Sequence, residues 1–193
     1  MPATAAERLF FAVRPDARTA QRIEALTHEL RRRHGLHGKS LGPERFHVTL
    51  HLIGDFVGGI PPDVLAQALD AARPVAAQAS PFHIGFDTVA SFTRKRRNMP
   101  LVLLGQDGVQ DVARLQQLLL APLMDAGLVA RPEPSFTPHL TLLYDDTPLA
   151  PQAIEALIWR VDELLLVRSL LGRSRHEVLA RIPLGKAGAR VAQ

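Results

Sequence analysis

Apolar residues recur along this chain at two periods, one near two and one near 3.6, which divide it into strands and helices. Residues 9–13 form a continuous apolar run closed by Arg14-Pro15-Asp16, predicting a buried strand and a turn. From 17 to 33, Ala20, Ile23, Leu26, Thr27 and Leu30 return every three or four residues. That spacing predicts an amphipathic helix capped by Asp16, with Arg31, Arg32 and Arg33 at its negative end and Gly35 and Gly38 closing it. Further helices are predicted over 63–79 and over 108–126, the latter with Leu115, Leu118, Leu119 and Leu123 inward. Strands are predicted over 46–53, 82–93, 99–104, 136–144, 158–166 and 175–183. Residues 131–134 read as a stiff linker, 169–172 as the join between the last two strands, and the small polar stretch after Leu184 as a disordered tail. Strands and helices mixed in this order predict an α+β fold with antiparallel sheets.

Two of these strands carry the same four-residue pattern, His47-Val48-Thr49-Leu50 and His139-Leu140-Thr141-Leu142. On a strand, His and Thr share one face while Val or Leu face the other, so each copy has an apolar back and a front bearing an imidazole and a hydroxyl. With 8 histidines, 9 threonines and 30 leucines in 193 residues, about 0.06 such matches are expected by chance. By parity His51 continues the front of the first copy, and Tyr144 falls behind the sheet of the second. Histidines four apart on a strand lie about 13 Å apart, too far to share one ion, so a metal-dependent hydrolase ranks below a metal-free scheme.

The paired motifs and their flanks resemble the two-histidine phosphoesterase superfamily, and within it the bacterial RNA 2′,3′-cyclic phosphodiesterase branch, historically called 2′-5′ RNA ligase. The resemblance rests on 8–13, on Gly42-Pro43-Glu44-Arg45-Phe46 before the first motif and Gly54-Asp55-Phe56 after it. Phe136-Thr137-Pro138 before the second motif, 167–172 and Glu177-Val178-Leu179-Ala180 complete it. It implies a bilobal fold over 1–184, with two pseudo-symmetric lobes of antiparallel sheet and outer helices, each lobe supplying one motif. It also implies an enzyme that opens the 2′,3′-cyclic phosphate end of an RNA to a 2′-phosphomonoester without a cofactor or metal, and that has reversible 2′-5′ RNA ligase activity. His47 is then expected as proton donor and His139 as proton acceptor, with Thr49 and Thr141 binding the phosphate. One departure stands out: Asp145-Asp146 follows the second motif where a basic residue is expected, which would weaken the hold on a long RNA.

Composition narrows the setting. The chain has no cysteine, which removes disulfides and thiolate metal sites. Residues 1–7 do not read as a signal peptide and no run is long enough to span a membrane, so a soluble cytoplasmic monomer is expected. The net charge is only +4, but Arg94-Lys95-Arg96-Arg97 places four cations on a predicted hairpin tip where a phosphate backbone could be gripped. Candidate substrate contacts are therefore Phe46, His51, Arg94, Arg96 and Phe136, although an aromatic beside a buried strand more often belongs to the core. The alternative from another class is a protein that binds RNA ends or nucleotides in the same cleft without catalysis. Two titratable bases facing one ligand argue for proton transfer instead.

Overall fold

The computed structural model describes residues 6–131 and 135–185. The chain runs β1 (Ala6–Val13), α1 (Ala17–His34), a 3-10 turn (Pro43–Arg45), β2 (Val48–Val57), α2 (Pro62–Gln78), β3 (Phe82–Ser91), β4 (Met99–Leu104) and α3 (Val109–Asp125). It closes with β5 (Leu140–Asp145), β6 (Gln152–Val161), β7 (Glu163–Leu170) and β8 (Arg175–Pro183). The strands form two antiparallel sheets, β2-β1-β7-β8 and β5-β4-β3-β6. Both motif strands, β2 and β5, are sheet edges, and they approach each other. Each follows the same path, strand, helix, then motif strand: β1-α1-β2 in one half and β4-α3-β5 in the other. This is the expected α+β bilobal architecture.

Local chemistry accounts for the helices. Asp16 accepts from the Thr19 amide at 2.9 Å to cap α1, and Gly35, at φ 62°, closes it behind Arg31–His34. In α3 the inward line is Val112, Leu115, Leu119 and Leu123; Leu118, expected inward, is 48% exposed because it lies one residue off that line. Helices cross between the halves: α1 packs on β5 and β6, and α3 on β2 as well as β3. One apolar cluster thereby joins the backs of both sheets, from Leu9 and Phe11 to Leu103, Leu140 and Leu166.

The largest correction concerns 158–166, expected as one strand. Asp162 divides it: β6 pairs with β3 in one sheet and β7 with β1 in the other. The burial pattern changes at the same point, from alternation in Leu157, Trp159 and Val161 to an unbroken buried run in Leu164–Val167. An edge strand buries one face, whereas β7 lies inside its sheet and buries both. Ser169 belongs to β7, so the join to β8 is 171–174. Leu184 is buried, with its amide on the Asp162 carbonyl at 2.8 Å, and the Gly185 amide donates to Ala76. The rest of the expected tail, and 132–134 of the linker, lie outside the described residues. Among the described residues no helix is long and apolar enough to cross a membrane.

Candidate active site

His47 and His139 each stand one residue before their strand. The Nδ1–H of His47 donates to the Arg45 carbonyl at 2.6 Å, and that of His139 to the Thr137 carbonyl at 2.7 Å, so each ring is tied to the backbone two residues earlier. A nitrogen held against a carbonyl must carry the proton, which leaves Nε2 of both rings as the working atom. An aromatic ring packs on each: Phe10 at 5.0 Å from His47, Phe92 at 5.0 Å from His139. Thr49 and Thr141 are half-buried, and neither hydroxyl has a hydrogen-bond partner among the described residues. A cavity of ≈ 620 Å³ is lined by Thr49 from one motif and His139 from the other, with Leu52, Phe92, Arg94 and Phe136. Each motif thus supplies one of its two polar side chains to this space; His47 and Thr141 are not among its lining residues, although His139 is near enough for its charge to act on His47.

A β-bulge in each motif strand decides what else faces it. Thr49 pairs with Ala12 and His51 with Phe11, so Leu50 is the extra residue. Ala12 and Phe11 alternate along β1, and residues paired across an antiparallel ladder share a face. His51 is therefore turned to the back, where it is buried and its ring Nε2–H donates to the Gln116 carbonyl of α3 at 2.7 Å. This overturns the expected front-face contact at His51; Leu52 takes its place. In β5, Thr141 pairs with Val102 and Leu143 with Leu101, so Leu142 is the extra residue and Tyr144 comes to the front, 43% exposed, instead of behind the sheet.

Phe46, another expected contact, is fully buried in the main core and takes no part in the site. Phe136 and Arg94 line the cavity; Arg96 lies exposed on the tip and is not among its lining residues. The two acids after the second motif do not face the site. Asp145 is buried and accepts from the backbone amides of His37 (2.7 Å), Gly38 (2.6 Å) and Thr147 (2.8 Å); Asp146 accepts from the Asn98 amide at 2.7 Å. Burial pushes the Asp145 carboxyl up, but the hydrogen bonds from Thr147, Gly38 and His37 outweigh it and hold its pKa below the usual range.

Three residues that sequence reasoning missed surround His47. His176 of β8 is 5.2 Å away ring to ring, Phe10 closes the other side, and Arg14 donates to the carbonyls of Pro43 (3.2 Å) and Glu44. Burial pulls the His47 pKa down to about 4; the hydrogen bond to Arg45 opposes this, and the charges of Arg14, Arg45 and His139 add to it. His47 is therefore neutral at pH 7 before any substrate binds. Phe10 lies in a continuous apolar run that does not single it out, and nothing local marks Arg14 or His176, which the fold brings in from elsewhere in the chain. Among the described residues no three His, Asp or Glu side chains converge as metal ligands.

Known proteins resemble this chain in sequence and in fold. It is 27% identical over 153 residues to the RNA 2′,3′-cyclic phosphodiesterase of Geobacillus stearothermophilus, an alignment covering 73% of this chain and 46% of that one. The chain thus spans less than half of that relative's length. TT0787 of Thermus thermophilus has the same fold, with a TM-score of 0.74 at 23% identity over 93% of this chain and 99% of that one. LigT of E. coli superposes with a TM-score of 0.71 at 22% identity over 94% and 99%. The model of the 2′-5′ RNA ligase superfamily matches residues 15–173, a span that takes in both histidine motifs and every strand but the first and the last, and on that match the chain belongs to this superfamily.

Proposed function

We propose that the protein is an RNA 2′,3′-cyclic phosphodiesterase that opens a terminal cyclic phosphate to a 2′-phosphomonoester by metal-free acid–base catalysis. The observation that carries this reading is the matched pair of imidazoles, each with Nδ1 tied to the backbone and each followed by a threonine, with no hydrogen-bond partner for either Nε2 or either hydroxyl among the described residues. His139 Nε2 takes a proton from water as the water oxygen attacks phosphorus. The P–O3′ bond breaks, and His47 Nε2–H protonates the departing ribose oxygen. Thr49 and Thr141 donate to the non-bridging oxygens, where negative charge builds. His47 begins neutral, with its one proton on Nδ1, so the proton it donates from Nε2 is taken up from solvent as substrate binds: a phosphodiester anion beside the ring raises its pKa. A 5′-hydroxyl in place of water would give 2′-5′ ligation by the same steps. The setting inferred for this chemistry is a cytoplasmic monomer acting on an RNA end.

Hydrolysis of a nucleoside 2′,3′-cyclic phosphate in EDTA, with the product identified by NMR, tests the proposal. Turnover to the 2′-phosphate is expected for the wild type, with loss of about 10²- to 10⁴-fold in both His47→Ala and His139→Ala. Inactivation by EDTA would point to a metal-dependent hydrolase. Binding of a cyclic-ended oligonucleotide without turnover would make the protein a binder of RNA ends.

A further inference from the structure

His176 sits on β8 opposite Ser169 of β7, half-buried, and its ring completes a triangle with two side chains of the site. It lies 5.2 Å from His47 at an interplanar angle of 65° and 5.6 Å from Phe10 at 72°. Edge-to-face contacts of this kind hold the plane of a ring. They leave its nitrogens unused, and neither nitrogen of His176 has a hydrogen-bond partner among the described residues. A phenylalanine or leucine would fill the same space, so packing alone does not account for an imidazole here. Burial, and then electrostatic repulsion by His47, Arg45 and Arg14, lower its pKa to about 3. The ring is therefore neutral at pH 7, with one N–H to donate and one bare nitrogen to accept. That pair suits a hydroxyl group.

The proposed reaction leaves one requirement unmet by the two motifs. A 2′,3′-cyclic phosphate carries two ribose oxygens of nearly equal leaving ability, and His47 protonates whichever is brought to it. Nothing in His47 or the threonines distinguishes O2′ from O3′. Beside His47, 5.2 Å from it ring to ring, stands an imidazole whose nitrogens have no hydrogen-bond partner among the described residues.

We propose that His176 contacts the ribose oxygen that leaves, and so determines whether the product is the 2′- or the 3′-phosphate. It transfers no proton: its N–H donates to the leaving oxygen as charge builds there, while His47 supplies the proton that remains on it. This inference rests on the phosphodiesterase reading of the site.

The test is the ratio of 2′- to 3′-phosphate formed from cytidine and adenosine 2′,3′-cyclic phosphates, measured by ³¹P NMR together with kcat and KM. The wild type is expected to release one isomer. His176→Phe, which keeps a ring but no nitrogen, is expected to release both and to lose about tenfold in kcat/KM. His176→Gln, which keeps a donor and an acceptor, is expected to restore the single isomer; His176→Leu replaces the Phe variant if circular dichroism shows that the latter does not fold. An unchanged single isomer from the Phe or Leu variant overturns the role of His176 while leaving the phosphodiesterase reading intact. A mixture already present with the wild type overturns it equally. A wild type that turns over neither substrate overturns both.

Discussion

Each motif histidine is fixed by the carbonyl two residues before it, but the two rings sit in different surroundings. His47 is packed between Phe10 and His176 and shares its space with two guanidinium groups, and its pKa falls from 6.5 to about 4. Its folded state then binds fewer protons than its unfolded state between those two values, so stability rises with pH across that window. The contribution is fully present above pH 6.5 and is lost as pH falls towards 4. A thermal unfolding series should show the melting temperature dropping over that range, with a shallower drop in His47→Gln; equal slopes would remove His47 as a cause. NMR titration of the His47 ring should give a midpoint near 4 that moves up when inorganic phosphate is added, as an anion in the site favours the charged ring. The direction of proton transfer has its own test. On a phosphodiester with an aryl leaving group, which needs little protonation, His47→Ala should lose far less activity than on the ribose cyclic phosphate, whereas His139→Ala should lose the same on both.

At the scale of the element, the strands that carry the motifs are edge strands, each with an extra residue directly after the threonine, and β2 with a second at Ile53. The shared bulge ends the front face after two useful side chains and turns the next one into the core. His51 and Leu143 are thus equivalent positions, one polar and one apolar, both buried against the back. His51→Leu is accordingly expected to leave kcat/KM within about threefold while costing about 1 kcal/mol of stability for the hydrogen bond to Gln116. A large fall in kcat/KM at unchanged stability would return His51 to the site. The existence of each strand was legible from its alternation, because period two is a local property. The bulge was not, because an extra residue is defined only against the neighbouring strand.

At the scale of the whole molecule, the two halves are held in register by α1, α3 and the segment between α1 and β2. That segment runs along β5: the Leu41 amide donates to the Leu142 carbonyl at 2.9 Å, and Asp145 gathers the amides of His37 and Gly38. Gly38 passes so close that a Cβ would stand 2.0 Å from the Tyr144 carbonyl oxygen, which explains a glycine there better than the end of a helix does. Asp145→Asn should lower stability by about 1–3 kcal/mol at neutral pH. Because the Asp145 pKa is lowered on folding, that difference is present above pH 3.8 and should shrink as pH falls through the folded-state value; a constant difference down to pH 2 would show that its charge is not what matters. The basic tip belongs to this scale too. Arg96→Ala should leave turnover of a mononucleotide unchanged and reduce the salt dependence of binding a cyclic-ended oligonucleotide by about 0.7 in slope. An unaltered slope would make the tip an ordinary solvated turn.

The sequence alone determined that two strands present a histidine and a threonine on a shared face, that helices with matching apolar lines lie between strands, and that the fold is α+β. These follow from side-chain periodicity, which acts over a few residues and needs no partner. Only the tertiary structure decided that residues 158–166 divide between two sheets, that His51 and Phe46 leave the site, and that Tyr144 comes to the front of its sheet. It also decided that Phe10, Arg14 and His176, drawn from opposite ends of the chain, close around His47. Pairing partners, register and the approach of distant strands are set by the burial of the whole core, which no local stretch of sequence contains.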